Sequence, residues 1–235
     1  MWPGFWGGRG MIPSRENVPA HAGRAEGDIG PAFWAGRYKA GETGWDHGEA
    51  SPGLVDFLNT QVGAQHAAPV RPGTILVPGC GRGHDARTLA KAGFDVTAID
   101  VVPQAIDDAR RLTASDAGAR RAVFLRYEQA DFFNLPTALR GPYDWLFEHT
   151  FFCAIDPALR DRYMEIVKGL IKPGGRLLGI FYNIQPDTGP PFGTTREELT
   201  ERFAPQFSLE YNSVPRSYES RTGKELLMLW KRKAD

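Results

Sequence analysis

The run Thr74-Ile-Leu-Val-Pro-Gly-Cys-Gly-Arg-Gly-His-Asp85 carries the strongest chemical signal in the chain. An apolar strand runs into a turn with glycines at 79, 81 and 83, and a helix follows. Glycine lets the backbone approach a bound molecule closely, and the helix start offers unpaired N–H groups. A turn of this kind at the carboxyl end of a central strand is a ligand loop, because open α/β sheets bind their ligands there. The spacing is G-x-G-x-G, preceded by Pro78. It is not the G-x-G-x-x-G of dinucleotide-binding turns, which weighs against a nicotinamide enzyme, and no Tyr/Lys pair for hydride transfer accompanies it. Structural strand-to-helix turns also use glycine, so the run needs company before it means a cofactor.

The next strand supplies it. Val96-Thr-Ala-Ile-Asp100 ends on a carboxylate at the spacing that suits a bidentate hydrogen bond to a ribose diol. Further on, Gln129-Ala-Asp-Phe-Phe133 offers Asp131 as acceptor for an adenine amino group and Phe132 as an apolar neighbour. A solvated loop acid would look the same in isolation; the order of the three elements favours an adenosine ligand. Tyr143-Asp-Trp-Leu-Phe-Glu-His-Thr-Phe-Phe-Cys-Ala-Ile155 then brings Glu148 and His149 to the end of a strand where catalytic side chains project. A lone histidine among aromatics is more often structural than basic, yet this position argues for contact with a cofactor.

These residues need a scaffold, and the periodicity provides one. Strands are expected at 74–77, 95–99, 123–127, 143–147 and 176–181, with helices at 84–92, 103–114 and 157–171. The last of these has Asp156 as cap, Pro157 in its first turn and Leu159, Tyr163, Ile166, Val167 and Leu170 on one face, with Pro173-Gly174-Gly175 as its stop. Alternating strands and helices imply a parallel sheet covered on both faces, a doubly wound α/β fold. A helix at 195–203 leads to strands 207–214 and 225–231, expected as an antiparallel hairpin closing one edge. A short helix at 54–62 and a Pro-rich linker precede the first strand. Residues 1–30 read as a mobile tail or an upstream start-site artefact, with Met11 as an alternative start; residues 31–235 read as one domain, of which 31–72 are an N-terminal cover and linker.

Bulk properties narrow the function. With 235 residues and 42% hydrophobic content the chain suffices for one well-buried core. Lys and Arg total 28 against 28 Asp and Glu, so no long-range field attracts nucleic acid or an anionic membrane. The two cysteines, Cys80 and Cys153, stand far apart in segments read as buried, poor material for a disulfide or a zinc site, and a reducing, cytoplasmic home is expected. No apolar run approaches the roughly 18 residues of a membrane span. Balanced charge and the lack of a long exposed apolar segment permit a monomer. A small-molecule or inorganic-anion partner is therefore expected.

Four stretches together are similar to one known family: Trp34 to Asp46 (WAGRYKAGETGWD), Ile75 to Asp85 (ILVPGCGRGHD), Tyr143 to Ile155 (YDWLFEHTFFCAI) and Gly189 to Phe192 (GPPF). From about residue 31 onward the chain resembles the thiopurine S-methyltransferase family, and within it the thiol, thiocyanate and halide methyltransferases. The resemblance implies a Rossmann-like class I sheet and S-adenosyl-L-methionine as cofactor, with no metal. It places Trp34, Tyr38 and Trp45 as an aromatic lid over the cofactor, and Gly79, Cys80, Gly81, Asp100, Asp131, Phe132 and His149 as its contacts. Tyr38 stands where the family usually has Trp, and His149 where Arg or Tyr is often seen. The Phe151-Phe152-Cys153 run looks more like the halide and thiol branch than the thiopurine branch. Trp34, Trp45, Phe151, Phe152 and Tyr182 are expected to line the acceptor pocket, with His149 and Tyr182 as candidate catalytic groups. The reaction so implied is in-line methyl transfer to a soft nucleophile, which needs little proton removal and is consistent with the lack of a Cys/His or Ser/His/Asp constellation. Thiopurines, selenium or tellurium oxyanions, or a non-catalytic module that only binds the cofactor are the competing readings.

Overall fold

The structure, a computed structural model, describes residues 29–62, 72–119, 124–185 and 188–234. Residues 1–28 of the expected tail and 63–71 of the expected linker lie outside them. Seven strands form one sheet in the order β3-β2-β1-β4-β5-β7-β6. They are β1 (Thr74–Pro78), β2 (Asp95–Asp100), β3 (Leu125–Gln129), β4 (Tyr143–His149), β5 (Ile171–Tyr182), β6 (Phe207–Ser213) and β7 (Glu225–Arg232). The first five run parallel, and β7 pairs antiparallel with both β5 and β6, so the expected terminal hairpin is inserted with β7 inward. The helices are α1 (Pro31–Ala40), α2 (Pro52–Val62), α3 (His84–Lys91), α4 (Pro103–Ser115), α5 (Arg160–Leu170) and α6 (Arg196–Phe203).

Strand alternation divides the core between two faces. Ile75, Val77, Trp145, Phe147, Leu178 and Ile180 point to the side covered by α2, α3 and α4. Leu76, Leu146, Leu177 and Phe181 point to the side covered by α5 and α6, where Tyr163, Val167, Leu199 and Phe203 meet them. All of these are buried, and each such side chain contributes roughly 1.5–3 kcal/mol by leaving water. A sheet covered on both faces leaves only its strand ends for chemistry. Because the order reverses between β1 and β4, their carboxyl ends open a crevice.

Three expectations need correction. The segment 157–171 is not one helix: Pro157–Leu159 is a 3₁₀ turn, with the Asp156 side chain accepting from Ala158 N–H, and α5 follows. Pro173-Gly174-Gly175 does not stop that helix but lies inside β5. Ile171 already pairs with Tyr143, the next pair is Trp145 with Arg176, and the intervening residues bulge out, with Gly174 at φ 76°. The third strand starts at Leu125 and reaches Gln129; Val123 lies outside the described residues and Phe124 is exposed. The aromatic stretch after Gly30 also holds a helix, α1, which sequence reading did not anticipate. Pro31 opens it and Gly41, at φ 72°, closes it by donating to the Tyr38 carbonyl.

Candidate active site

The turn after β1 is built on left-handed glycines: φ is 58° at Gly79, 52° at Gly81 and 71° at Gly83. Space matters as much as conformation. A Cβ on Gly79 would sit 2.5 Å from the Phe151 ring, and one on Gly81 would meet the Tyr38 hydroxyl at 3.3 Å. The turn therefore carries the tip of β4 on one side and the lid helix on the other. Asp100, at the end of β2, is buried and braces it: one carboxylate oxygen accepts from Gly81 N–H at 2.9 Å, the other from Val102 N–H at 2.9 Å. Burial pushes its pKa up in spite of these hydrogen bonds.

A cavity of about 800 Å³ opens over this turn. Asp131, Phe132 and Phe133 reach it from the end of β3, Tyr182 from the end of β5, and Trp34, Tyr38 and Trp45 from the N-terminal segment. The Asp131 side chain is exposed and accepts from Phe133 N–H at 2.9 Å, capping a 3₁₀ turn that presses Phe132 against Phe151, ring centroids 5.1 Å apart. Trp45 lies edge-on to both Trp34 and Tyr38, at 5.3 and 5.8 Å. These rings pack on Val102 and Ala105 at the start of α4, which gives the lid its support.

His149 stands between two carboxylates. Its Nδ1 lies 2.7 Å from Asp85 in the first turn of α3, and its Nε2 lies 3.8 Å from Glu225 on β7. Burial opposes a charge on the ring, yet the two carboxylates outweigh it and raise its pKa to about 9. Glu148 beside it is buried and accepts from the N–H groups of Phe151 and Phe152; burial lifts its pKa to about 7. These bonds hold the turn after β4, where Thr150 takes a left-handed conformation at φ 62°, a strained value for a β-branched residue.

Most of the expected site residues converge: Trp34, Tyr38, Trp45, Gly79, Cys80, Gly81, Asp100, Asp131, Phe132, His149, Phe151 and Tyr182 all line the cavity. Phe152 does not. The turn at Thr150 sends it into the core, where it is 1% exposed, packs on Tyr163 and Phe181 and lies under the Arg160 guanidinium. Both cysteines are free. Burial pushes the Cys80 thiol well up and that of Cys153 to about 12, so neither is a nucleophile at neutral pH. Sequence reading missed Asp46, which joins the lid to the glycine turn: Arg82 donates to it at 2.7 Å, and His84 Nε2 lies 3.1 Å away. Although burial works against it, hydrogen bonds from His84 and from Gly48 N–H, with the Arg82 charge, hold Asp46 well below the usual carboxylate range. It also missed the partners of His149. Asp85 ends the Ile75–Asp85 stretch, but nothing local marks a contact spanning 64 residues.

The chain that builds this glycine turn, bracing acid and aromatic lid is similar to known proteins along most of its length. The family model for thiopurine S-methyltransferase matches residues 29–229. The chain belongs to that family. Thiocyanate methyltransferase 1 of Arabidopsis thaliana is 30% identical over 231 residues, covering 96% of this chain and 94% of that protein. Thiopurine S-methyltransferase of Legionella pneumophila (strain Corby) is 28% identical, covering 72% and 79%. In fold, the chain matches the 1,6-didemethyltoxoflavin-N1-methyltransferase of Burkholderia thailandensis, solved with S-adenosylhomocysteine, at a TM-score of 0.66 and 18% identity, over 87% of each chain. Fold and family are those of S-adenosylmethionine-dependent methyltransferases. No helix among the described residues is long and apolar enough to cross a membrane.

Proposed function

We propose that this member of the thiopurine S-methyltransferase family transfers the methyl group of S-adenosylmethionine, by in-line displacement, to a small soft nucleophile: a thiol or sulfide, a halide or thiocyanate. The observation that carries this is the cradle itself, in which left-handed Gly79 and Gly81, backed by the buried Asp100 carboxylate, face a cavity roofed by Trp34, Tyr38 and Trp45. The residues suit the cofactor. Asp100 retains lone pairs for a ribose diol, since its two oxygens together have about four acceptor sites and the Gly81 and Val102 N–H groups take one on each. Asp131, exposed at the cavity edge, has a second oxygen for the adenine amino group, with Phe132 and Phe133 as apolar neighbours.

When bound, S-adenosylmethionine supplies a methyl group already activated by its positive sulfur. What remains for the protein is to align the acceptor and keep water out, which the aromatic walls do. His149 acts here as a fixed imidazolium that holds the end of β4 against α3 and β7. Carrying a proton on each nitrogen at neutral pH, it has no lone pair to take one from an acceptor. An acceptor that arrives already anionic fits this wall. The longer match to the plant thiocyanate enzyme supports the small nucleophile over a thiopurine, the reading that the bacterial relatives' names favour.

Calorimetric titration with S-adenosylmethionine, followed in the same tube by a headspace assay with iodide, thiocyanate, hydrosulfide and a small aromatic thiol, tests the proposal. Micromolar-range binding and one dominant methylated product are expected. Absence of binding overturns it, and binding without methylation of any of the four, with turnover of a thiopurine in a parallel tube, replaces the acceptor class.

A further inference from the structure

The connection between β6 and β7, residues 214–224, is remote in sequence from the glycine turn, yet it is built onto the N-terminal segment that walls the cavity. The Tyr218 hydroxyl donates to the Glu49 carbonyl at 2.9 Å, a contact spanning 169 residues. Its ring stacks on His47, with centroids 3.9 Å apart and planes 18° from parallel, and lies 26° from parallel to the His149 ring at 6.4 Å. Arg221 donates to the Trp45 carbonyl at 3.4 Å and to Glu225 at 3.3 Å. Just upstream, Arg216 makes a two-pronged pair with Asp56, and Pro215 packs so tightly on Gly53 that a Cβ there would lie 2.8 Å away.

The segment from Trp45 to Glu49 is thus fixed at two places. Asp46 ties it to the glycine turn through Arg82 and His84, on the cofactor side. Tyr218 ties it at the other end, where His47, Tyr182, Tyr218 and Arg221 complete the cavity wall and none belongs to the cofactor cradle. Tyr218 is 8% exposed, so its hydroxyl bond is sheltered from competing water.

We propose that Tyr218 is a positioning residue that clasps the Trp45–Glu49 segment at the acceptor end of the cavity and thereby limits the size of the acceptor. This rests on the methyl-transfer reading above. It assigns a specificity role to a residue in a loop outside the four stretches that resemble the family.

Two substitutions separate the clasp from the fold. Tyr218→Phe keeps the stack on His47 and removes only the hydroxyl donor; Tyr218→Ala removes both. Amide hydrogen exchange, which requires no turnover, is read at Asp46 and Ser51, whose N–H groups are held by the Thr43 carbonyl and the Asp85 carboxylate. Exchange is expected to quicken about threefold in Tyr218→Phe and about tenfold in Tyr218→Ala. Affinity for S-adenosylmethionine is expected to stay within about twofold. The ratio of kcat/KM for thiophenol over hydrosulfide is expected to rise at least threefold, through KM and not kcat. Unchanged exchange in both variants, or equal loss on both thiols, overturns the positioning role. Wild-type protein that binds no S-adenosylmethionine overturns the methyl-transfer reading instead, and with it the size limit.

Discussion

Nδ1 of His149 lies 2.7 Å from Oδ2 of Asp85, which joins the end of β4 to the first turn of α3 beside the glycine turn. The second oxygen-bearing neighbour, Glu225, faces Nε2 at 3.8 Å, too far for a hydrogen bond but close enough to favour the charge. Asp85 accepts Ser51 N–H with its other oxygen, so one carboxylate ties three separate parts of the chain together.

A pH dependence follows. The folded pKa of His149 is about 9 against an ordinary 6.5. A raised value in the fold means that the stabilisation is fully present below about pH 6.5 and is lost as pH rises through 9. At most it amounts to about 3 kcal/mol, by the size of the shift. Urea midpoints of wild type are expected to fall between pH 6.5 and 9.5, while those of His149→Gln change far less over the same range. With iodide, which does not titrate here, turnover should fall as pH rises through 9. Equal pH slopes in wild type and variant would remove the imidazolium from the account.

Asp100 is the residue on which the cofactor assignment turns. Its carboxylate is buried and accepts backbone N–H groups on both oxygens, whereas an amide in its place has only one oxygen to accept with. Replacing a charge-assisted acceptor costs about 1.5–3 kcal/mol, or roughly tenfold to a hundredfold in affinity. Calorimetry should show that loss for Asp100→Asn and a larger one for Asp100→Ala. Unchanged affinity in both variants removes the ribose role.

Gly79 and Phe151 form a coupled pair, because the ring occupies the place where a side chain on residue 79 would go. At φ 58° an alanine is strained as well as crowded. Gly79→Ala is expected to weaken S-adenosylmethionine binding at least fiftyfold. Phe151→Ala in the same chain relieves the clash and leaves the backbone strain, so the double variant should recover part of the loss. Strict additivity of the two changes would show that the ring and the turn act independently.

How far the site was legible depends on the range of the contacts that make it. The glycine turn, Asp100 and Asp131 are set by local order along strand, turn and helix, and could be read from the residues. The lid was legible through the family resemblance, though not as a helix: α1 buries only Tyr38, and Gly36 within it obscures any helical period. The Pro173-Gly174-Gly175 bulge looked like a helix stop because both uses call for the same residues. Asp46, Asp85, Tyr218, Arg221 and Glu225 meet their partners across 34 residues or more in most cases, through sheet register and loop path that no local pattern encodes.

Phe151 and Phe152 show how one residue of backbone reverses a role. Strand alternation would already send neighbours to opposite sides, but the pair lies beyond β4, and the left-handed Thr150 together with the two N–H bonds to Glu148 decides which ring enters the cavity. Phe151 lines it; Phe152 fills the core between Tyr163, Phe181 and Phe203. Truncating a buried phenylalanine to alanine costs about 3–5 kcal/mol, and leucine in its place costs less because much of the volume remains. Phe152→Leu is therefore expected to lower the melting temperature by several degrees and to leave S-adenosylmethionine affinity and the order of preferred acceptors unchanged. Phe151→Leu should do the reverse, with little change in melting and a clear rise in the dissociation constant. Were Phe152→Leu to alter acceptor preference in a protein of undiminished stability, the ring would belong to the pocket after all, and the turn at Thr150 would have to adopt another conformation when the cofactor binds.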